Sequence, residues 1–157
     1  MTGLPLLAEI GLPLEKDTVA LGESLARLAR PGDMLALHGP LGAGKTTLAR
    51  GFITARTEIA EDVVSPTFTL VQVYDADPAP IWHFDLYRLT NVGDVLELGW
   101  DDALSGGISL VEWPERAGAL LPAARLDVVL GTDGAARRAA LYGGANWKDR
   151  IAAMEHV

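Results

Sequence analysis

At 157 residues, with 49% apolar content and a formal charge of −8, the chain is sized for one domain spanning residues 1–157 with a proper core. Its acidic balance excludes a protein that grips a nucleic-acid backbone alone, since that affinity comes from clustered Lys and Arg. The absence of cysteine excludes disulfides, thiolate catalysis and Cys-ligated zinc, and His38, His83 and His156 are too scattered for a structural metal site.

No run approaches the roughly 18 apolar residues of a membrane span. The N-terminal apolar stretch follows no basic residue, as a secretory signal would, so a cytoplasmic protein without membrane contact is expected. After a Pro-containing lead, residues 17–29 place Val19, Leu21, Leu25 and Leu28 at near-helical spacing, with Asp17 as the expected N-cap. Residues 30–33, Arg-Pro-Gly-Asp, end that helix and turn the chain into the short apolar run 34–38, of strand length.

The central signal follows at once. Residues 39–46, GPLGAGKT, fit G-x-x-x-x-G-K-[ST] without a mismatch, between the strand and a helix expected over 47–52. Gly39, Gly42 and Gly44 let the backbone take conformations closed to residues with a Cβ, so that successive N–H groups turn inward around a phosphate. The following helix adds its positive end. Lys45 would supply a point charge between the β- and γ-phosphates, and the Thr46 hydroxyl a ligand for Mg²⁺.

Beyond the loop helix, residues 57–64 are polar and mixed, and they lead to a loop at Ser65-Pro66-Thr67. Residues 68–74 and 81–84 are β-branched and aromatic runs separated by turn chemistry, which predicts an antiparallel hairpin delivering Asp85. Asn91 and Asp94 resemble a capping box, opening a helix that should stop at Gly99, with a short turn over 101–104 after it. Residues 108–111 form a compact strand ending in Glu112 and Trp113. Residues 125–130 and 137–142 give a second hairpin signal, and 146–154 a closing helix.

A phosphate loop needs carboxylates beside it, because Mg²⁺ prefers oxygen ligands and keeps some of its waters. Glu112 and Asp85, each at a strand end, are the two candidates. Trp113 would lie near the nucleotide if Glu112 does, offering a purine a stacking face; core packing is the alternative for it. His83, between two large aromatics on a strand, reads as structural rather than catalytic.

The blocks HGPLGAGKTTLARGF, SPTFTLV, HFDLYRL, ELGW and LVEWPERAGALLP together resemble the TsaE family, small bacterial ATPases of tRNA threonylcarbamoyladenosine synthesis. The blocks span residues 18–122, and HFDLYR and VEWP at this spacing are the specific ones; the C-terminal hairpin and tail resemble the family much less. The resemblance implies an α/β P-loop NTPase fold, with a mainly parallel central sheet flanked by antiparallel strands and helices. It implies ATP hydrolysis that is feeble until TsaD and TsaB join, with tRNA met only indirectly through that complex.

Carried over by motif, Gly42, Ala43, Gly44, Lys45, Thr46 and Thr47 cradle the phosphates, Thr46 and Glu112 bind Mg²⁺, and Asp85 is the nearby acid, a second metal candidate. Trp113 matches the aromatic beside the base, Ser65 and Thr67 fall in a switch-like segment, and Thr18 and Arg137 match positions near the nucleotide. Two rivals remain. A small-molecule kinase would need a lid and several arginines around the transferring phosphoryl group, whereas Arg88, Arg116 and Arg137 sit in separate segments with no lid insertion. A nucleotide-gated binding module with incidental hydrolysis differs only in whether turnover matters.

Overall fold

The first strand has no announcement in the sequence pattern. β1 (Leu6–Leu12) falls in the Pro-containing lead and buries only Ile10 and Leu12, too little alternation for a strand signal. It exists because β7 (Ala136–Tyr142) offers it an antiparallel edge, pairing Glu9 with Ala140 and Leu12 with Arg137. The computed structural model describes residues 2–57, 63, 65–134 and 136–154. All but two residues of the polar stretch expected over 57–64 lie outside these, as does His156.

α1 (Glu15–Leu28) begins before the expected start. Asp17 is therefore not the N-cap; it sits in the first turn, and its Oδ2 accepts the Leu14 N–H at 2.9 Å, which satisfies one of the donors a helix start leaves open. β2 (Met34–His38) runs into the glycine loop, and α2 (Lys45–Thr57) continues five residues past the expected end. Gly51 hides that continuation, because glycine is a poor helix former. It is required by packing: a Cβ at Gly51 would lie 2.3 Å from the Val19 carbonyl oxygen, and one at Gly22 would lie 2.2 Å from that of Leu48. The two helices touch backbone to backbone.

β3 (Val71–Tyr74) and β4 (Ile81–Asp85) form the expected antiparallel hairpin, with Val71 opposite Phe84. Its first strand is shorter than expected, since Leu70 takes a left-handed φ of 70° and Phe68 lies in the turn before it. Asn91 caps a 3₁₀ segment, Val92–Leu98, by accepting the Gly93 N–H, and the segment ends at Gly99 as expected. The capping box itself is not made: Asp94 gives its backbone N–H to the Asn91 carbonyl. α3 (Trp100–Gly106) replaces the short turn expected at 101–104.

β5 (Ile108–Glu112), β6 (Leu126–Asp133), β7 and α4 (Ala145–Ala152) complete the chain. The seven strands form one sheet in the order β1-β7-β6-β2-β5-β4-β3. Its centre is parallel, with β2 between β6 and β5 and β5 beside β4, and antiparallel pairs close both edges. On one face Leu21, Leu25, Leu48 and Phe52 from α1 and α2 pack on Leu35, Leu37, Leu110 and Val128. On the other, Trp100 and Ala103 of α3 cover Met34, Phe84 and Val111. In a sheet of this kind ligands gather beyond the carboxyl ends of the central strands, where the glycine loop, Asp85 and Glu112 all lie.

A polar cluster around the buried Asp127 ties β2 to β6 just before that loop. His38 Nε2 lies 2.8 Å from Asp127 Oδ1, and Arg125 Nε donates to the same oxygen at 2.9 Å. Burial alone would raise the Asp127 pKa, yet hydrogen bonds and charge from His38 and Arg125 outweigh it and hold the carboxyl below the ordinary aspartate value. A depressed folded-state pKa stabilises fully above the unfolded value, near about 4, and that contribution is lost as pH falls through the folded value. Asp127→Ala is expected to cost about 2–4 kcal/mol at neutral pH. In urea titrations the gap to the unsubstituted chain should close below about pH 4; a gap unchanged from neutral to acid pH would reduce Asp127 to a packing role.

Candidate functional site

The loop's backbone passes where side chains do not fit. Gly39 has φ of 148°, and a Cβ there would lie 2.7 Å from the Leu130 carbonyl oxygen. Gly44, at φ 106°, would direct a Cβ to 3.4 Å from both Arg137 Nη1 and Thr18 Cγ2. The structure thus brings Thr18 of α1 and Arg137 of β7 to the loop from opposite ends of the sequence. The Leu48 N–H donates to the Gly44 carbonyl at 2.9 Å, so α2 starts without delay and its N-terminus faces the loop. Ala43 points elsewhere: its side chain is buried in the core beneath.

Lys45 is buried and folded back on its own loop. Nζ donates to the Gly39 carbonyl and, at 3.4 Å, to that of Pro40. It also stands 3.6 Å from the centroid of the Trp113 ring, a cation–π contact. Burial lowers the Lys45 pKa below the ordinary lysine value, against the charges of Glu112, Glu115 and Asp85, which raise it. Trp113 reaches this position from a left-handed backbone, φ 57°, a conformation that costs a non-glycine residue of order 1–3 kcal/mol and clusters at functional sites. Its indole also meets Tyr87 at 4.8 Å between centroids. It lines the cavity with one part of its surface and packs against the core cluster of Phe84 and Val111 with another.

The two acids are neighbours by register, Asp85 opposite Glu112 in the parallel pair, and both are buried. Thr46 Oγ1 donates to Glu112 Oε1 and Oε2 at 3.0 and 3.1 Å, and His83 Nε2 lies 2.7 Å from Oε2. Asp85 is held from the other side. Its Oδ2 accepts from Ser65 Oγ and, at 3.2 Å, from Thr67 Oγ1, while its Oδ1 accepts the Tyr87 N–H at 3.0 Å.

A cavity of about 470 Å³ opens over these groups, within the range of small-molecule sites. Gly42, Gly44, Lys45, Thr46 and Thr47 of the loop and helix start line it, with Asp85 and Glu112 and with Ser65, Thr67, Trp113 and Arg137. Of the residues singled out from sequence, Gly39, Ala43 and Thr18 support the loop without lining the cavity. Leu41, Tyr87 and Arg88 line it and were not singled out as site residues. Tyr87 and Arg88 adjoin Asp85 in the chain, which was the available signal. Arg88 and Arg137, in separate segments, meet at one cavity, whereas Arg116 does not line it and donates to the Leu89 carbonyl at 3.4 Å.

The donor set is oxygen throughout: one hydroxyl and two carboxylates. That suits Mg²⁺, which binds through one or two side chains and completes its shell with phosphate and water. Among the described residues no group of three or more His, Cys, Asp or Glu is placed to hold a metal by itself, and no helix is long and apolar enough to cross a membrane.

A glycine loop between β2 and α2, on a sheet whose centre is parallel, with acids at the ends of β5 and β4, the next two strands on one side of β2, defines a P-loop NTPase fold. The crystal structure of YdiB from Bacillus subtilis is similar to it with a TM-score of 0.74 and 28% identity, over 95% of this chain and 93% of that one. The family model described as threonylcarbamoyl adenosine biosynthesis protein TsaE matches residues 12–140, and the chain belongs to that family. The tRNA threonylcarbamoyladenosine biosynthesis protein TsaE of Rickettsia conorii is 40% identical over 116 residues, 74% of this chain and 66% of that protein. The match thus spans just under two thirds of the Rickettsia protein. The TsaE proteins of Bacillus subtilis and Aquifex aeolicus are 40% and 39% identical, with 72% and 81% of their lengths covered.

Proposed function

We propose that the chain binds ATP with Mg²⁺ in this cavity and hydrolyses it in the cytoplasm, acting on a TsaD–TsaB complex so that threonylcarbamoyl transfer to tRNA can repeat. The observation that carries the reading is the convergence of Lys45, Thr46, Glu112 and Asp85 on one cavity floored by the glycine loop. In this reading the loop amides and Lys45 hold the phosphates, and Arg88 and Arg137 add charge from the rim. Thr46 and Glu112 would hold Mg²⁺, with Asp85 beside them; the ion neutralises charge on the phosphate oxygens. Trp113 offers the base a face.

Asp85 does a second job, since its carboxylate is what fastens Ser65 and Thr67. A segment tied to an acid beside the γ-phosphate is suited to change with the nucleotide, as switch segments do. A partner would then feel hydrolysis, and tRNA would be met only through that partner, in keeping with the net charge of −8.

The kinase alternative lacks a lid among the described residues. ATP turnover with and without purified TsaD and TsaB tests the proposal. We expect feeble turnover alone, a rise of at least about tenfold with both partners, and partner affinity that differs between ATP and ADP by the same factor as the partner changes the ratio of ATP to ADP affinity. Turnover and partner affinity indifferent to one another would leave only a binding module with incidental hydrolysis.

A further inference from the structure

His83 has a place in the site that its sequence setting conceals. Side chains alternate along a strand, so His83 and Asp85 of β4 share a face, and the register Asp85 opposite Glu112, His83 opposite Leu110 puts His83 one step below the two acids. From there it reaches diagonally to Glu112 Oε2 at 2.7 Å. Both residues are withdrawn from solvent, His83 at 0% exposure and Glu112 at 3%, so water does not compete for the bond.

The other ring nitrogen is more telling. Nδ1 of His83 is buried and has no hydrogen-bond partner among the described residues. An unpartnered buried polar atom costs about 1–3 kcal/mol, so packing alone would favour an apolar residue on this strand. The ring's whole polar capacity goes to Glu112. The hydrogen must then sit on Nε2, donated to the carboxylate, because a hydrogen on Nδ1 would have no acceptor.

Among the described residues the Glu112 carboxylate is otherwise hydrogen-bonded only by Thr46, the residue whose hydroxyl is itself expected at the cation. Without His83, the carboxylate would be oriented by a group that must reorganise when the ion arrives. We infer that His83 is a positioning residue: its Nε2–H fixes the Glu112 carboxylate from below, so that the acid is already set toward the cation site beside Thr46. This rests on the ATP-and-Mg²⁺ reading above and assigns His83 no contact with nucleotide or ion.

The test uses two amides in the full chain. The glutamine amide nitrogen of His83→Gln reaches the position of Nε2 and preserves the donor, while that of His83→Asn stops near Nδ1. Mn²⁺ is titrated into each protein saturated with a non-hydrolysable ATP analogue and free ion is read by electron paramagnetic resonance; analogue affinity is measured separately in chelator, and thermal melting in buffer. His83→Asn is expected to weaken Mn²⁺ binding by about 10–100-fold, with metal-free analogue affinity within about threefold of the unsubstituted chain, and His83→Gln to recover most of the loss.

Unchanged Mn²⁺ affinity in His83→Asn, or equal losses in both variants, would overturn the assignment. Should the asparagine variant fail to melt cooperatively, a tenfold or greater loss of Mn²⁺ affinity in a folded His83→Gln would overturn it as well, and retention would support it. If the unsubstituted chain with analogue takes up no Mn²⁺ beyond what the free analogue binds, the ATP-and-Mg²⁺ reading itself fails and the assignment falls with it.

Discussion

Lys45→Ala is expected to lower ATP affinity by about 10²–10⁴-fold, corresponding to two charge-assisted hydrogen bonds of roughly 1.5–3 kcal/mol each with phosphate oxygens. The lysine is the cation on the cavity floor, and it already serves the loop: Nζ bonds the Gly39 and Pro40 carbonyls and lies over Trp113. Phosphate arrival would exchange those carbonyl partners for phosphate oxygens, and the bound anion would offset the burial that now lowers the Lys45 pKa. Removing the ammonium also leaves Asp85, Glu112 and Glu115 facing an incoming anion with less to balance them. Calorimetry on the variant should show the loss with and without Mg²⁺, while thermal melting stays close to that of the unsubstituted chain. Unchanged ATP affinity would sink the assignment of this cavity to phosphate.

How much of this was legible depended on whether the signal was contiguous. Gly39 to Thr46 is a local motif, and the turn, the helix that follows and the lysine all come from neighbours in sequence. The acids were legible as strand ends, because an apolar run stopping at a carboxylate marks the carboxyl edge of a sheet. Contacts created by tertiary pairing were not. β1 becomes a strand only because β7 lies beside it, and the His38–Asp127–Arg125 cluster needs β2 and β6 in register.

His83 is the sharpest case. A histidine between Trp82 and Phe84 looks like core, and the acid it serves lies 29 positions along. With β4 and β5 taken as adjacent parallel strands and Asp85 set opposite Glu112, the alternation of side chains would have placed His83 on the acids' face. The family resemblance added Thr18 and Arg137 to the site, but not the reason they meet there, which is the close approach of α1 and β7 to Gly44.

Glu112→Gln is expected to reduce Mg²⁺-dependent ATP turnover by about 10²–10³-fold, the scale of removing one preorganised electrostatic group, while nucleotide affinity in chelator stays close to that of the unsubstituted chain. The substitution is nearly isosteric, so the fold and the loop are spared. Its chemistry is not neutral, because a carboxylate accepts at both oxygens whereas an amide accepts at one and donates at the other. His83 cannot turn to accept at Nε2 without moving its hydrogen to Nδ1, which is buried and without a partner among the described residues. The amide oxygen must therefore take the place of Oε2 facing His83, within reach of the Thr46 hydroxyl as well, and the amide nitrogen replaces Oε1, so that Thr46 meets a donor where it had an acceptor. One change thus removes a negative ligand and sets an N–H donor beside the Thr46 hydroxyl that the cation needs. Lys45 loses the largest of the charges that raise its pKa, yet it meets less competition for phosphate, so binding without metal should survive. Turnover measured against Mg²⁺ concentration separates the two acids: activity equal to that of the unsubstituted chain at every concentration would move the metal role from Glu112 to Asp85.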